Sequence, residues 1–166
     1  ATILYEKTQG ASYFLDGVAF HWYAGSCRNQ VEHVARSFPS KILLPTEACY
    51  ELAQAHGDDL FDGSWARGEG YGYDIIVDLE GGAAGWTDWN LLLDEIGGPN
   101  HVHNYCDAPI LADTRGSPGK LHYHPQYFYI GHFSKFISPG SMRLHVDMGG
   151  DQIAQVNATQ GRFVNT

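Results

Sequence analysis

Three apolar or aromatic runs, each ending in polar groups and each leading into a helix-like stretch, constrain this chain most. Val18-Ala19-Phe20-His21-Trp22-Tyr23 follows Asp16-Gly17 and predicts a strand over 18–23. Ser26 is placed to cap a helix in which Val31, Val34, Ala35 and Phe38 recur at helical spacing, stopped by Phe38-Pro39-Ser40. Lys41-Ile42-Leu43-Leu44-Pro45-Thr46-Glu47 predicts a second strand, apolar on both faces until it ends in Glu47. A Gly/Asp-rich loop runs to Gly63, and Ser64 then caps a helix over 65–80 with Ile75, Ile76 and Leu79 on one face. Gly68, Gly70 and Gly72 work against that helix. Ala83-Ala84-Gly85-Trp86-Thr87-Asp88-Trp89-Asn90 predicts a third strand, with a long loop over 94–104 after it. Pro125, then Tyr129, Phe133 and Phe136, predict a fourth helix to Ile137. Strand followed by helix, three times, is the pattern of parallel β/α units.

After Pro139-Gly140 the pattern changes. Met142-Arg143-Leu144-His145-Val146 and Gln152-Ile153-Ala154-Gln155-Val156 alternate like half-buried strands, joined by Met148-Gly149-Gly150-Asp151 as a hairpin. The 166 residues suit one domain, and 43% hydrophobic residues suffice for a core. A net charge of -9 argues against nucleic acid as a partner. No apolar run reaches the roughly 18 residues of a spanning helix. The first residues carry no basic segment and no signal core. Cys27, Cys49 and Cys106 form no CxxC pair, so a disulfide framework is not expected.

Polar and aromatic residues gather where the predicted strands end. In β/α barrels that rim carries the active site. Three units cannot close an eight-stranded barrel of about 250 residues, so the chain is either a smaller open fold or part of a larger one. Glu47 leaves a buried strand as a carboxylate; it reads as a rim cap or as a nucleophile or general base. His21 and Tyr23 fall on one face of the first strand, either in a core or as a site wall. Trp89 offers a flat apolar platform suited to a sugar ring. Asn100, Asn104 and Asp107 in one loop fit amide and carboxylate bonding to hydroxyls. His101, His103, His122 and His124 have period-two spacing that a zinc site would use, but they sit in a loop and before a helix.

Several blocks together resemble the family 30 glycoside hydrolases, the glucosylceramidase group. They are Gly17-Val18-Ala19-Phe20-His21-Trp22-Tyr23, Thr46-Glu47-Ala48-Cys49, Gly85-Trp86-Thr87-Asp88-Trp89-Asn90-Leu91 and Gly97-Gly98-Pro99-Asn100. Asn104-Tyr105-Cys106-Asp107-Ala108-Pro109-Ile110 and Gly131-His132-Phe133-Ser134-Lys135-Phe136-Ile137 complete the set, in family order. The resemblance implies an α/β fold: the C-terminal part, about strands six to eight, of a (β/α)8 TIM barrel over 1–139, then the first strands of a β-sandwich over 140–166. It implies a retaining β-glucosidase of glucosylceramide-like lipids, lysosomal or secreted, without cofactor or metal. A glycolipid or glucoside is the partner, with peripheral membrane contact through the lipid.

On that resemblance Glu47 matches the catalytic nucleophile at the end of strand seven. His21 and Tyr23 match residues flanking it, and Trp89, Asn104 and Tyr105 match the glucose pocket and aglycone mouth. The family's acid/base glutamate follows an asparagine, and no Asn-Glu pair occurs in this sequence. Little or no turnover is therefore expected of these residues alone, and their open barrel edges predict aggregation. Two other classes stay open: a carbohydrate-binding module using Trp89, Tyr105 and Tyr23, and a zinc-dependent hydrolase using the four histidines.

Overall fold

The computed structural model describes residues 14–25, 27–52, 61, 63–99, 104–116 and 118–144. β1 (Gly17–His21) and β2 (Ile42–Glu47) pair in parallel. The crossover between them holds α1 (Arg28–Ser37), whose Val31 and Val34 pack on Leu43, Val18 and Phe20. This is the predicted β/α unit, and the spacing of its apolar residues is what allows the helix to lie over the strands. The N-cap is Cys27, with no side-chain cap bond; Ser26 lies outside the described residues.

The pairing runs Gly17↔Ile42 to Phe20↔Pro45, then skips to His21↔Glu47. The slip falls at Pro45, which has no N–H to give the ladder. The first strand stops at His21, shorter than expected. Trp22–Ala24 form a 3-10 turn closed by the Gly25 N–H on Trp22 O at 3.1 Å, with Gly25 at φ +78°. Tyr23 thus reaches the rim from a turn, not from the face of a strand.

α2 (Trp65–Gly81) forms despite its glycines and ends at Gly82, whose left-handed φ of +107° lets its N–H cap Asp78 O and Leu79 O. Gly68 and Gly72 are packing positions against α3 (Pro125–Ser134). A Cβ on Gly68 would lie 2.6 Å from Pro125 Cβ, and one on Gly72 would lie 2.6 Å from Tyr129 Cδ1. Ile75 is buried, but Ile76 is half-exposed and does not share its face. α3 stops three residues before the expected Ile137; a turn follows, with the Ile137 N–H on Phe133 O at 2.8 Å.

Residues 83–90 are not a regular strand, although they lie beside β2 in the expected order. Ala84, Thr87 and Trp89 donate their N–H groups to Leu43, Pro45 and Ala48 at 2.8, 3.0 and 3.0 Å. Three residues on one side match two on the other, so the pleats fall out of step. Trp86 turns away to donate to Asp74 Oδ2 at 2.8 Å.

Three short strands were not anticipated. β3 (Leu92–Asp94) pairs in parallel with β4 (Ile110–Asp113), and β4 pairs antiparallel with β5 (Lys120–Tyr123). Leu93 and Leu111 enter a core cluster with Cys49, Leu52, Cys106 and Ala108. The predicted hairpin over 142–156 lies mostly outside the described residues, and 142–144 carry no regular structure. No helix among the described residues is long and apolar enough to cross a membrane.

Candidate active site

The end of β2 places Glu47 at the rim, with its side chain 31% exposed. The Tyr23 hydroxyl donates to Glu47 Oε1 at 3.1 Å, and His21 Nδ1 lies 3.8 Å from the same oxygen. Neither contact engages Oε2. The His21 and Tyr23 rings meet edge to face, with centroids 5.9 Å apart. Partial burial, then the Cys49 thiol and the Glu47 carboxylate, push the Tyr23 phenol well above its ordinary range. Tyr23 is therefore a neutral donor.

Behind this pair stands an aromatic stack. Trp22 lies 4.8 Å from Tyr50 and 5.3 Å from Tyr71, and its indole N–H donates to Cys49 O at 3.2 Å. Tyr71 donates to Asp88 Oδ1 at 2.9 Å, and the same oxygen accepts the Trp89 N–H at 2.8 Å. The other oxygen, Asp88 Oδ2, is buried with no hydrogen-bond partner among the described residues. Burial raises Asp88 to about 7. The Trp89 N–H bond to Ala48 O brings the Trp89 backbone to the end of the sheet that carries Glu47, while its ring packs on the Cys49–Leu93–Leu111 cluster.

Asn104 and Tyr105 reach the same region by another route. The segment after Glu47 pairs with theirs: Leu52 N–H donates to Tyr105 O at 2.6 Å, and Asp107 N–H donates to Tyr50 O at 2.8 Å. Asn104 Nδ2 donates to Cys106 Sγ at 3.2 Å, and Tyr105 packs on the core cluster. His21, Tyr23 and Glu47 are thus in mutual contact, and Trp89, Asn104 and Tyr105 lie on segments hydrogen-bonded to the residues just after Glu47.

Asp107 is a correction. Its place in a loop with Asn104 predicts bonding to hydroxyls, yet its side chain is 0% exposed. It forms an ion pair with Arg67 Nε at 2.6 Å and accepts hydrogen bonds from Gln126 Nε2 at 2.6 Å and the Ala108 N–H at 2.8 Å, with His124 Nδ1 at 2.7 Å. A buried carboxylate with this many donors is a structural hub. Arg67 gives the missed signal: a charge on the helix face that also buries Tyr71 needs a partner. His124 is engaged by this hub, and His101 and His103 lie outside the described residues. Among the described residues no group of three or more His, Cys, Asp or Glu could hold a metal.

A parallel β/α unit with a carboxylate at its strand ends is the arrangement found at the active-site rim of β/α barrels. Residues 1–137 match the Glycosyl hydrolase family 30 TIM-barrel domain. The chain belongs to that family, as a part of its barrel, and membership implies a glycoside substrate. It is 40% identical to "Putative glucosylceramidase 3" of Caenorhabditis elegans, over 85% of this chain and 27% of that protein. It is 38% identical to Lysosomal acid glucosylceramidase of Mus musculus, over 81% and 26%. The chain thus spans about a quarter of the length of these relatives, 26–27%. Among solved structures it is similar to SrfJ from Salmonella typhimurium, with a TM-score of 0.72 and 34% identity over 82% of this chain and 29% of that one.

Proposed function

We propose that the complete protein is a retaining glycoside hydrolase that cleaves β-glucosyl bonds of glucosylceramide-like lipids, with Glu47 as nucleophile. The observation that supports this reading is the Glu47 carboxylate at the end of β2, held through Oε1 by Tyr23 at 3.1 Å. Oε2 would attack the anomeric carbon and form a glycosyl-enzyme ester. A second carboxyl, about 5–5.5 Å away in such enzymes, protonates the leaving oxygen and then activates water. That group comes from outside these residues. Tyr23, as a neutral phenol, keeps its proton and fixes the nucleophile's orientation. Trp89, Asn104 and Tyr105 line the sugar and aglycone positions. The relatives named as glucosylceramidases, one of them lysosomal, support a lipid glucoside and a lysosomal location; peripheral contact with the membrane that carries the lipid follows from that substrate. Residues 140–166 would begin a β-sandwich.

The test is Glu47→Gln in the complete protein. Without the covalent nucleophile, kcat on an aryl β-glucoside should fall by several orders of magnitude while circular dichroism is unchanged. A 2-deoxy-2-fluoro-β-glucoside should label the peptide that contains Glu47. Near-normal turnover by the variant, or a label elsewhere, removes Glu47 from this role. Unlabelled wild-type protein that binds glucosides without turnover would instead be a carbohydrate-binding module.

A further inference from the structure

Two of the three cysteines meet behind the candidate nucleophile. Cys49 Sγ and Cys106 Sγ are 3.6 Å apart and both residues are buried. Neither was assigned a role by the glycosidase reading. The contact is imposed by the backbone: the pairing of 50–52 with 105–107, with its Glu51↔Cys106 bridge, holds the two segments in register. Each sulfur also touches a residue of the proposed site. Cys49 Sγ lies 3.4 Å from the Tyr23 hydroxyl, and Cys106 Sγ accepts from Asn104 Nδ2 at 3.2 Å. A continuous line of polar contacts therefore runs from Glu47 through Tyr23, Cys49 and Cys106 to Asn104.

We propose that Cys49 and Cys106 are an oxidative modification site, a dithiol that peroxide closes to a disulfide and that thereby lowers glycosidase activity reversibly. The effect on activity rests on the assignment of Glu47 above; the disulfide itself does not. The two sulfurs have distinct parts. Contact with Cys106 draws the Cys49 thiol below its ordinary range against the opposing effect of burial, with a smaller contribution from Tyr23. The same pairing and burial push Cys106 up. Cys49 is the attacking sulfur, since the thiolate is the nucleophile. It is 8% exposed against 1% for Cys106, which suits a small oxidant and excludes bulky ones.

The steps balance. The Cys49 thiolate attacks one peroxide oxygen; the O–O bond breaks, hydroxide leaves and takes a proton, and Cys49 becomes a sulfenic acid. Cys106 attacks the Cys49 sulfur, its proton passes to the departing hydroxyl, and water leaves. Two thiols lose two electrons, and one peroxide becomes two waters. Closing the sulfurs from 3.6 Å to a bond of about 2.05 Å moves them by roughly 1.5 Å. The disulfide has no proton to share with Tyr23, and a shift of about 1 Å near a reacting group can cost up to about a hundredfold in rate.

The experiment treats the folded complete protein with a few equivalents of hydrogen peroxide, blocks remaining thiols, and maps peptides by mass spectrometry. A Cys49–Cys106 linked peptide that dithiothreitol reverses is expected. Turnover of an aryl β-glucoside should fall about tenfold or more and return with dithiothreitol. Cys106→Ser should abolish both effects while Cys27→Ser keeps both; thermal melts check that each variant is folded. No linked peptide in the folded wild type, or a link through Cys27, overturns the site whatever the activity. A full link with unchanged turnover overturns its effect on activity. If the untreated protein hydrolyses no glycoside, the glycosidase reading fails while the linked peptide still decides the dithiol.

Discussion

Replacing Asp107 with alanine tests the hub that carries the Asn104–Tyr105 segment. Arg67 is 9% exposed and its Nε sits 2.6 Å from Asp107 Oδ2, so the change strands a buried guanidinium away from its carboxylate. Breaking a buried pair from one side costs about 3–5 kcal/mol, because the surviving charge has already given up its hydration. Gln126 and the Ala108 N–H lose an acceptor as well. A domain holds about 5–15 kcal/mol in total, so about a fifth or more of its stability is at stake. For a domain of 150–250 residues, each kcal/mol moves the midpoint by about 2–4 °C, giving a fall of about 6–20 °C. Differential scanning calorimetry of the complete protein reads the barrel transition directly. Adding Arg67→Met to Asp107→Ala should recover at least about half of the loss, since no charge is then stranded. A midpoint within about 2 °C of wild type, or strictly additive effects in the double variant, would refute the argument that this ion pair holds the segment.

Tyr23→Phe removes one donor from Glu47 at a half-exposed position, so kcat/KM on a β-glucoside should fall by about three- to tenfold with the melting midpoint unchanged. No change would deny Tyr23 a part in orienting the carboxylate. Asp88 predicts a pH dependence of stability. Its folded pKa of about 7 lies above the unfolded value of about 3.9, so the folded state holds its proton longer. Stability from this group is fully present below about pH 4 and is lost as pH rises to about 7, a change on the order of 4 kcal/mol. Asp88→Asn should flatten denaturation midpoints measured between these values, and an unaltered profile would contradict the assignment. Gly68→Ala should destabilise by about 1–3 kcal/mol despite alanine's better helix propensity, because the new methyl meets Pro125. A stabilised variant in urea denaturation would mean that α2 and α3 can move apart.

The parts of the fold legible in sequence are those whose signal is local. Val31 and Val34 announce α1 by their spacing, and the apolar run to Glu47 announces β2. Residues 83–90 were legible in order but not in conformation, because Trp86 is drawn out of the pleat by Asp74, on a different element. β3 to β5 have three or four residues each, too few for a period to emerge, and exist through pairing with one another. The site divides in the same way. Glu47 stands at a recognisable strand end and Tyr23 in the turn just beyond one, whereas Asp107 reads as a loop ligand in sequence because its partners Arg67 and Gln126 sit on two helices. The meeting of Cys49 with Cys106 spans 57 positions, a distance over which no periodicity carries information.

That same span gives the site an order of assembly. Tyr23 and Glu47, 24 positions apart, are brought together by one β/α unit. Pairing 50–52 with 105–107 requires closing the far larger loop between Cys49 and Cys106, at an added entropy cost of about 0.8 kcal/mol. Loop-closure entropy alone thus favours the contact of carboxylate and phenol over the pairing that brings in Asn104 and Tyr105. Conditions that loosen only the longer closure would leave Glu47 still held by Tyr23 beside an unpaired 104–107 segment, so that this segment is lost before the β1–β2 unit melts.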